Sequence, residues 1–329
     1  MSKIAIIGSG AWGTALAQCY ATAGHDVDLW CRDREQARAM TESGENAKHL
    51  AGIKLHNNID IKTDLSEVVT ADVILNVTPA QYLRDNLKKI APLLRDNEVM
   101  VICAKGIEIS SHRLLSDVAK EECPKARIAL LTGPNFARDI ARGLPSASTL
   151  AADRETGQFL VDKLTARNLR LYTTTDIIGA QIGGAIKNVI AIACGICHGL
   201  DLGESARAAL VTRGLAEIAR LAEVMGGKRE TLMGQCGIGD LMLTCSSMQS
   251  RNFSCGAELS KGKTLEQIMA ERNSVTEGVT TARAAYELAK SKQIDMPVTT
   301  AIYKCLYENI SIKDALDQIL NRPSRHEHE

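Results

Sequence analysis

Aromatic residues are scarce in this chain: three Phe, six Tyr and two Trp make up 3% of 329 residues. That scarcity excludes the stacking platforms on which binders of single-stranded nucleic acid rely. A charge of one sign is missing too. Lys+Arg and Asp+Glu each total 39, for a formal net charge of zero, so the composition carries no footprint for nucleic acid or an anionic membrane surface. No unbroken run reaches the ~18 apolar residues that read as a membrane span. At the N-terminus, Met1-Ser2-Lys3 leads straight into Ile4-Ala5-Ile6-Ile7, an apolar stretch too short for a secretory signal. A cytoplasmic location is therefore expected, with the ten cysteines as reduced thiols.

One cysteine spacing needs its own reading. Cys194-Gly195-Ile196-Cys197-His198 matches the haem-attachment pattern. It lies inside a long helical stretch of small apolar residues, where free cysteines pack as small hydrophobes, and packed thiols are expected. The histidines show no metal-ligand spacing, and no metal is expected. The terminal His326-Glu327-His328-Glu329 reads as a frayed end.

What is present is an alternating pattern. Strand-like runs at 4–7, 27–30, 73–77, 99–103, 128–131, 147–150 and 170–173 interleave with helical stretches at 11–23, 34–41, 81–90, 113–120 and 155–165. Such alternation marks βαβ units and a parallel sheet. After the hydroxyl-rich Thr173-Thr174-Thr175-Asp176 the strand pattern stops, and helices are expected at 177–198, 205–225, 264–270, 280–290, 299–307 and 312–320. The fold class is thus α/β: a Rossmann-type parallel-sheet domain over 1–176, followed by an all-helical domain over 177–329.

The first strand ends in Gly8-Ser9-Gly10-Ala11-Trp12-Gly13 and a helix follows, the context a dinucleotide-binding turn requires. Gly8 permits the tight turn, Gly10 lets backbone approach a pyrophosphate, and Gly13 brings helix and strand together. The phosphates then meet unsatisfied N–H groups at the positive end of the helix. At the end of the second strand an NAD site usually has an acid for the ribose 2′-hydroxyl. Here the sequence is Trp30-Cys31-Arg32-Asp33-Arg34. A guanidinium at Arg32 can pair with a 2′-phosphate, so NADP(H) is expected to be accepted and preferred, while Asp33 leaves NAD(H) open.

Two lysines can serve carbonyl chemistry. Lys105, in Ala104-Lys105-Gly106, follows an apolar strand and falls where the ligand crevice of an open sheet lies. Lys187, in Gly183-Gly184-Ala185-Ile186-Lys187-Asn188, is the sole charge between Asp176 and Asp201. A buried lysine is costly unless used, and desolvation tunes it toward neutral pH. Further on, Gly237-Ile238-Gly239-Asp240-Leu241 is a flexible turn presenting a carboxylate. Ser250-Arg251-Asn252 offers a hydroxyl, a guanidinium and an amide suited to a phosphate monoester.

Together with Gly133-Pro134-Asn135-Phe136-Ala137 and Thr276-Glu277-Gly278, these motifs resemble the bacterial NAD(P)-dependent glycerol-3-phosphate dehydrogenases along nearly the whole chain. The resemblance implies interconversion of dihydroxyacetone phosphate and sn-glycerol 3-phosphate, feeding glycerophospholipid synthesis, with a homodimer by analogy. It implies Lys187 as catalytic acid/base, with Lys105 and Asp240 beside it. Substrate contacts would come from Lys105, Gly133, Asn135, Lys187, Asp240, Ser250, Arg251 and Asn252. Cofactor contacts would come from Ala11, Trp12, Arg32, Lys105, Ala137, Arg251 and Glu277. One position departs from the family, which usually has Ser or Thr where this chain has Asn135. Two rival readings exist. A β-hydroxyacid or 6-phosphogluconate-type dehydrogenase would place an Asn four residues after the lysine, where this chain has Ala191. A catalytically silent NAD(P)H sensor would not need Lys187, Asp240 and Arg251 together.

Overall fold

The computed structural model describes residues 1–272, 276–323 and 326. Apart from His326, the polar end read as frayed lies outside the described residues. The chain divides into two compact units, Met1–Ala104 with Leu115–Ile177, and Lys105–Leu114 with Ile178–Glu329. The sequence boundary at 176 does not foresee the excursion Lys105–Leu114. That segment joins the second unit because Ile107 and Leu114 are buried in its apolar core.

The first unit is built on eight strands: β1 (Lys3–Ile7), β2 (Asp26–Trp30), β3 (Ile59–Lys62), β4 (Val73–Asn76), β5 (Val99–Ile102), β6 (Arg127–Thr132), β7 (Ser146–Ala151) and β8 (Leu169–Thr174). Their spatial order is β3-β2-β1-β4-β5-β6-β7-β8. The first six are mutually parallel; β7 pairs antiparallel to β6, and β8 parallel to β7. The expected parallel sheet therefore ends in a reversed pair. Between β6 and β7 the short helix Ala137–Ala141 packs on the Ala11–Thr22 helix, and the chain turns back at the end where β6 finishes.

The central strands are apolar at consecutive positions because both sheet faces are covered. Ile4, Ile6, Val27, Leu29, Val73 and Leu75 share one core with Leu16 and Tyr20 of the Ala11–Thr22 helix, while Ala5, Ile7 and Ile74 are equally buried. The next helix, Arg34–Ser43, starts at Asp33, whose Oδ1 accepts from the Glu35 and Gln36 amides at 3.0 and 3.2 Å, and stops at Gly44 with φ +65°. These are an acidic N-cap and a left-handed C-terminal glycine.

Among the described residues, the regular elements of the second unit are helices. The Ile177–Gly199 helix is its axis, buried at every position from Gly179 to Cys197, and a helix buried all round is apolar all round. It is long and apolar enough to cross a membrane; a search for unbroken apolar runs passes it over because Gln181, Lys187 and Asn188 interrupt it. Cys194 and Cys197 are free thiols buried along it. The Arg251–Leu259 helix crosses it at backbone contact. A Cβ on Gly195 would lie 1.9 Å from the Phe253 carbonyl oxygen, and one on Gly256 would lie 2.0 Å from that of Ile192. Two glycines, one per helix, set the spacing.

Candidate active site

Burial of Lys187 is a consequence of this architecture, since its helix has no solvent-facing side at that point. The side chain is 5% exposed, so the ammonium needs partners. It donates to Asp240 Oδ1 and, at 2.6 Å, to Thr244 Oγ1. Lys105 Nζ donates to the other oxygen, Asp240 Oδ2, at 2.7 Å. Two cations thus share one carboxylate that is 1% exposed. Burial pushes Lys187 down to about 8; the Asp240 charge works against that shift and the Lys105 charge adds to it. A lysine so placed holds or releases a proton near neutral pH.

The delivery of Asp240 has a local cause. A π-helical turn, Gln235–Gly239, leads into the Asp240–Cys245 helix; such turns gather at functional sites. It can press on the axial helix because position 183 is glycine. A Cβ there would lie 2.5 Å from the Cys236 carbonyl oxygen, one turn before Lys187. Thr244 then follows Asp240 by four residues, on the same helix face. Thr244 does not stand out in the sequence, where 237–241 reads as a flexible turn. The i, i+4 spacing from Asp240 was the signal that could have found it.

The neighbouring Asn188 ties a second cluster to the helix. Its Oδ1 accepts from Asn252 Nδ2 at 2.9 Å, and Asn252 Oδ1 accepts from the Gly278 amide at 2.9 Å. Ser250 caps the Arg251–Leu259 helix, its Oγ accepting from the Phe253 amide at 3.3 Å. The exposed Arg251 is the first residue of that helix, where the helix dipole also favours an anion. Glu277 opens the helix that follows Thr276. Lys105, Lys187, Asp240, Ser250, Arg251, Asn252 and Glu277 all belong to the second unit.

The remaining residues lie on the first unit. Gly8 adopts φ +121°, and a Cβ on Gly13 would lie 1.8 Å from the Gly8 carbonyl oxygen; Gly10 is exposed, with open space where a Cβ would stand. These three positions fit a turn that takes a pyrophosphate against its backbone. Ala11 and Trp12 open the helix behind it, and the Gly8 amide donates to the Trp30 carbonyl at 3.2 Å, joining the turn to the end of β2 beside Arg32. Asp33 next door is occupied: Oδ1 caps its helix and Oδ2 lies 3.9 Å from Lys48 Nζ. Gly133 lets β6 approach β7, where a Cβ would meet Ser148 Cα at 2.9 Å. The Asn135 amide is anchored there, donating to Ser148 Oγ at 2.7 Å and accepting from Ser146 Oγ. Ala137 begins its short helix. Among the described residues, no group of three or more His, Cys, Asp or Glu is placed to hold a metal ion.

Comparison with known proteins covers both units. The family model for the NAD-dependent glycerol-3-phosphate dehydrogenase N-terminus matches residues 3–158, and that for the C-terminus matches 176–317. A glycerol-3-phosphate dehydrogenase [NAD(P)+] of Parvibaculum lavamentivorans is 48% identical, covering 99% of this chain and 98% of the relative. One of Rhodospirillum rubrum is 49% identical over 99% and 94%. The crystal structure of glycerol-3-phosphate dehydrogenase from Coxiella burnetii superposes with a TM-score of 0.94 at 34% identity, covering 98% of this chain and 99% of that one.

Proposed function

The chain belongs to the NAD-dependent glycerol-3-phosphate dehydrogenases, and on that premise we propose that it interconverts dihydroxyacetone phosphate and sn-glycerol 3-phosphate with Lys187 as the acid/base. The observation that carries the assignment of Lys187 is its burial against Asp240 and Thr244, with its proton affinity lowered to about 8.

When bound, the dinucleotide supplies the hydride that reaches the carbonyl carbon. As charge develops on the carbonyl oxygen, the Lys187 ammonium donates its proton there, leaving a neutral amine; in the oxidation the amine takes the hydroxyl proton back. Asp240 and Thr244 hold the amine in one orientation, so no reorganisation is needed at the moment of transfer. Lys105, on the far oxygen of Asp240, adds a second positive charge that favours an electron-rich oxygen. Arg251, Ser250 and the start of their helix receive the phosphate, and Asn252 fixes that helix to Asn188 and Gly278. Binding energy from the phosphate is thereby spent on positioning the ketone.

Arg32 favours NADP(H), and the commitment of Asp33 to its helix cap supports that preference, because a capping carboxylate is poorly disposed to hold a ribose hydroxyl. A homodimer in the cytoplasm feeding glycerophospholipid synthesis completes the reading. The experiment is to follow NADPH and NADH oxidation with dihydroxyacetone phosphate, beside 6-phosphogluconate oxidation with NADP+. Turnover of the triose phosphate alone is expected. Absence of that turnover in folded protein would overturn the assignment.

A further inference from the structure

Behind the glycine turn of the first unit lies a buried amide that neither the turn motif nor the proposed chemistry uses. Asn46 is 1% exposed. Its Nδ2 donates to the Ser9 carbonyl oxygen at 2.8 Å and to Thr14 Oγ1 at 2.8 Å. Gln36 Nε2 reaches Asn46 Oδ1, the Ser9 carbonyl oxygen and Ser9 Oγ, each at 3.4 Å. Thr14 Oγ1 also donates to the Ser9 carbonyl at 3.4 Å. Three side chains therefore converge on one carbonyl oxygen, where a single donor would have satisfied it.

The effect of that convergence follows from peptide geometry. A trans peptide is planar, with its C=O and N–H pointing in opposite directions. Holding the Ser9 carbonyl inward, toward Asn46, turns the amide of Gly10 outward, and Gly10 is the exposed member of the turn. The orientation of the Asn46 amide is itself determined, because a carbonyl oxygen can face only the Nδ2 side. Gln36 lies in the first turn of the Arg34–Ser43 helix, which Asp33 caps directly after Arg32. The same bonds thus connect the turn to the strand end that would read the ribose 2′ group.

We infer that Asn46, supported by Gln36 and Thr14, is a positioning residue of the dinucleotide site, aiming the Ser9–Gly10 peptide at the pyrophosphate. This rests on the reading that turn 8–13 receives the phosphates. The pyrophosphate is common to both dinucleotides, so Asn46 serves NADH and NADPH alike, whereas Arg32 distinguishes them.

The test measures nucleotide binding directly, by the fluorescence of NADH and of NADPH titrated with purified protein in the absence of substrate. Asn46→Asp keeps the volume and removes only the donors, leaving a carboxylate against a carbonyl. Its Kd is expected to rise by about tenfold for both nucleotides, and in turnover KM for either nucleotide should rise by more than kcat falls. Gly10→Val serves as the control, since the open space at Gly10 accepts the side chain but the ligand then cannot. If Gly10→Val loses the nucleotide while Asn46→Asp binds it like the parent, the inference is overturned. If Gly10→Val also binds like the parent, the reading of the turn itself fails. Should Asn46→Asp not fold, Gln36→Leu decides at a half-buried position: a Kd raised severalfold for both nucleotides supports the inference, and parental affinity overturns it.

Discussion

Lys187 and Lys105 grip opposite oxygens of one buried carboxylate, Lys187 on Asp240 Oδ1 and Lys105 on Oδ2. Two cations sharing one anion, out of water, leave a surplus positive charge that is relieved when one amine loses its proton. Lys187 is the more buried of the two, and its pKa falls to about 8.

The pH dependence of turnover follows with opposite signs in the two directions. Reduction needs the ammonium form, so kcat/KM for dihydroxyacetone phosphate should be level below about pH 8 and fall above it by up to about tenfold per unit. Oxidation needs the amine, so its kcat/KM should rise toward the same pH and level off above it. Paired profiles on the same preparation check this; limbs of equal sign would remove Lys187 from the proton transfer.

The two neighbours of Lys187 should move that limb in opposite directions. Asp240 raises its proton affinity and Lys105 lowers it. In the residual activity of Asp240→Asn the descending limb of the reduction should therefore shift to lower pH. In Lys105→Met it should shift to higher pH. Profiles of both variants, recorded at saturating nucleotide, decide.

Nucleotide preference should reside in Arg32. Losing a hydrogen bond to a charged group costs about 1.5–3 kcal/mol, so Arg32→Ala should raise KM for NADPH by roughly tenfold or more while changing NADH little. Asp33→Ala should act on the fold instead. Removing the cap of the Arg34–Ser43 helix costs about 1 kcal/mol, read as a lower Tm with the preference retained.

Helix spacing in the second unit should affect substrate binding as well as stability. Gly256→Ala places a Cβ 2.0 Å from the Ile192 carbonyl oxygen and forces the Arg251–Leu259 helix off the helix bearing Lys187. Overpacking of this kind costs about 1–3 kcal/mol. A lower Tm and a raised KM for dihydroxyacetone phosphate are expected, checked by thermal melts and steady-state kinetics.

Much of this was legible in the chain, for physical reasons that differ by element. The strands β1, β4 and β5 declare themselves because burial on both faces demands consecutive apolar residues, and β2 does so by the alternation of Val27 and Leu29 with Asp26 and Asp28. β3 is not foreseen, since Ile59-Asp60-Ile61-Lys62 alternates strictly but over only four residues, with two apolar side chains to mark it. The reversal of β7 is a matter of chain direction, which residue patterns do not encode. Lys187 stood out as a lone charge in an apolar helix, and Asp240 through its glycine-rich approach. Thr244 did not, because 237–241 reads as a turn and hides its i, i+4 spacing from Asp240. Asn46 did not, because its role depends on a partner brought close only by tertiary packing, Ser9, 37 residues before it.

The central claim is that Lys187 moves the proton, and Lys187→Ala tests it most directly. The measurement pairs kcat for dihydroxyacetone phosphate reduction with the Kd for NADPH obtained from nucleotide fluorescence. A fall in kcat of about 10²–10⁴ with Kd close to the parent's is predicted. Equal loss of turnover and nucleotide affinity, or a kcat near that of the parent, would contradict it.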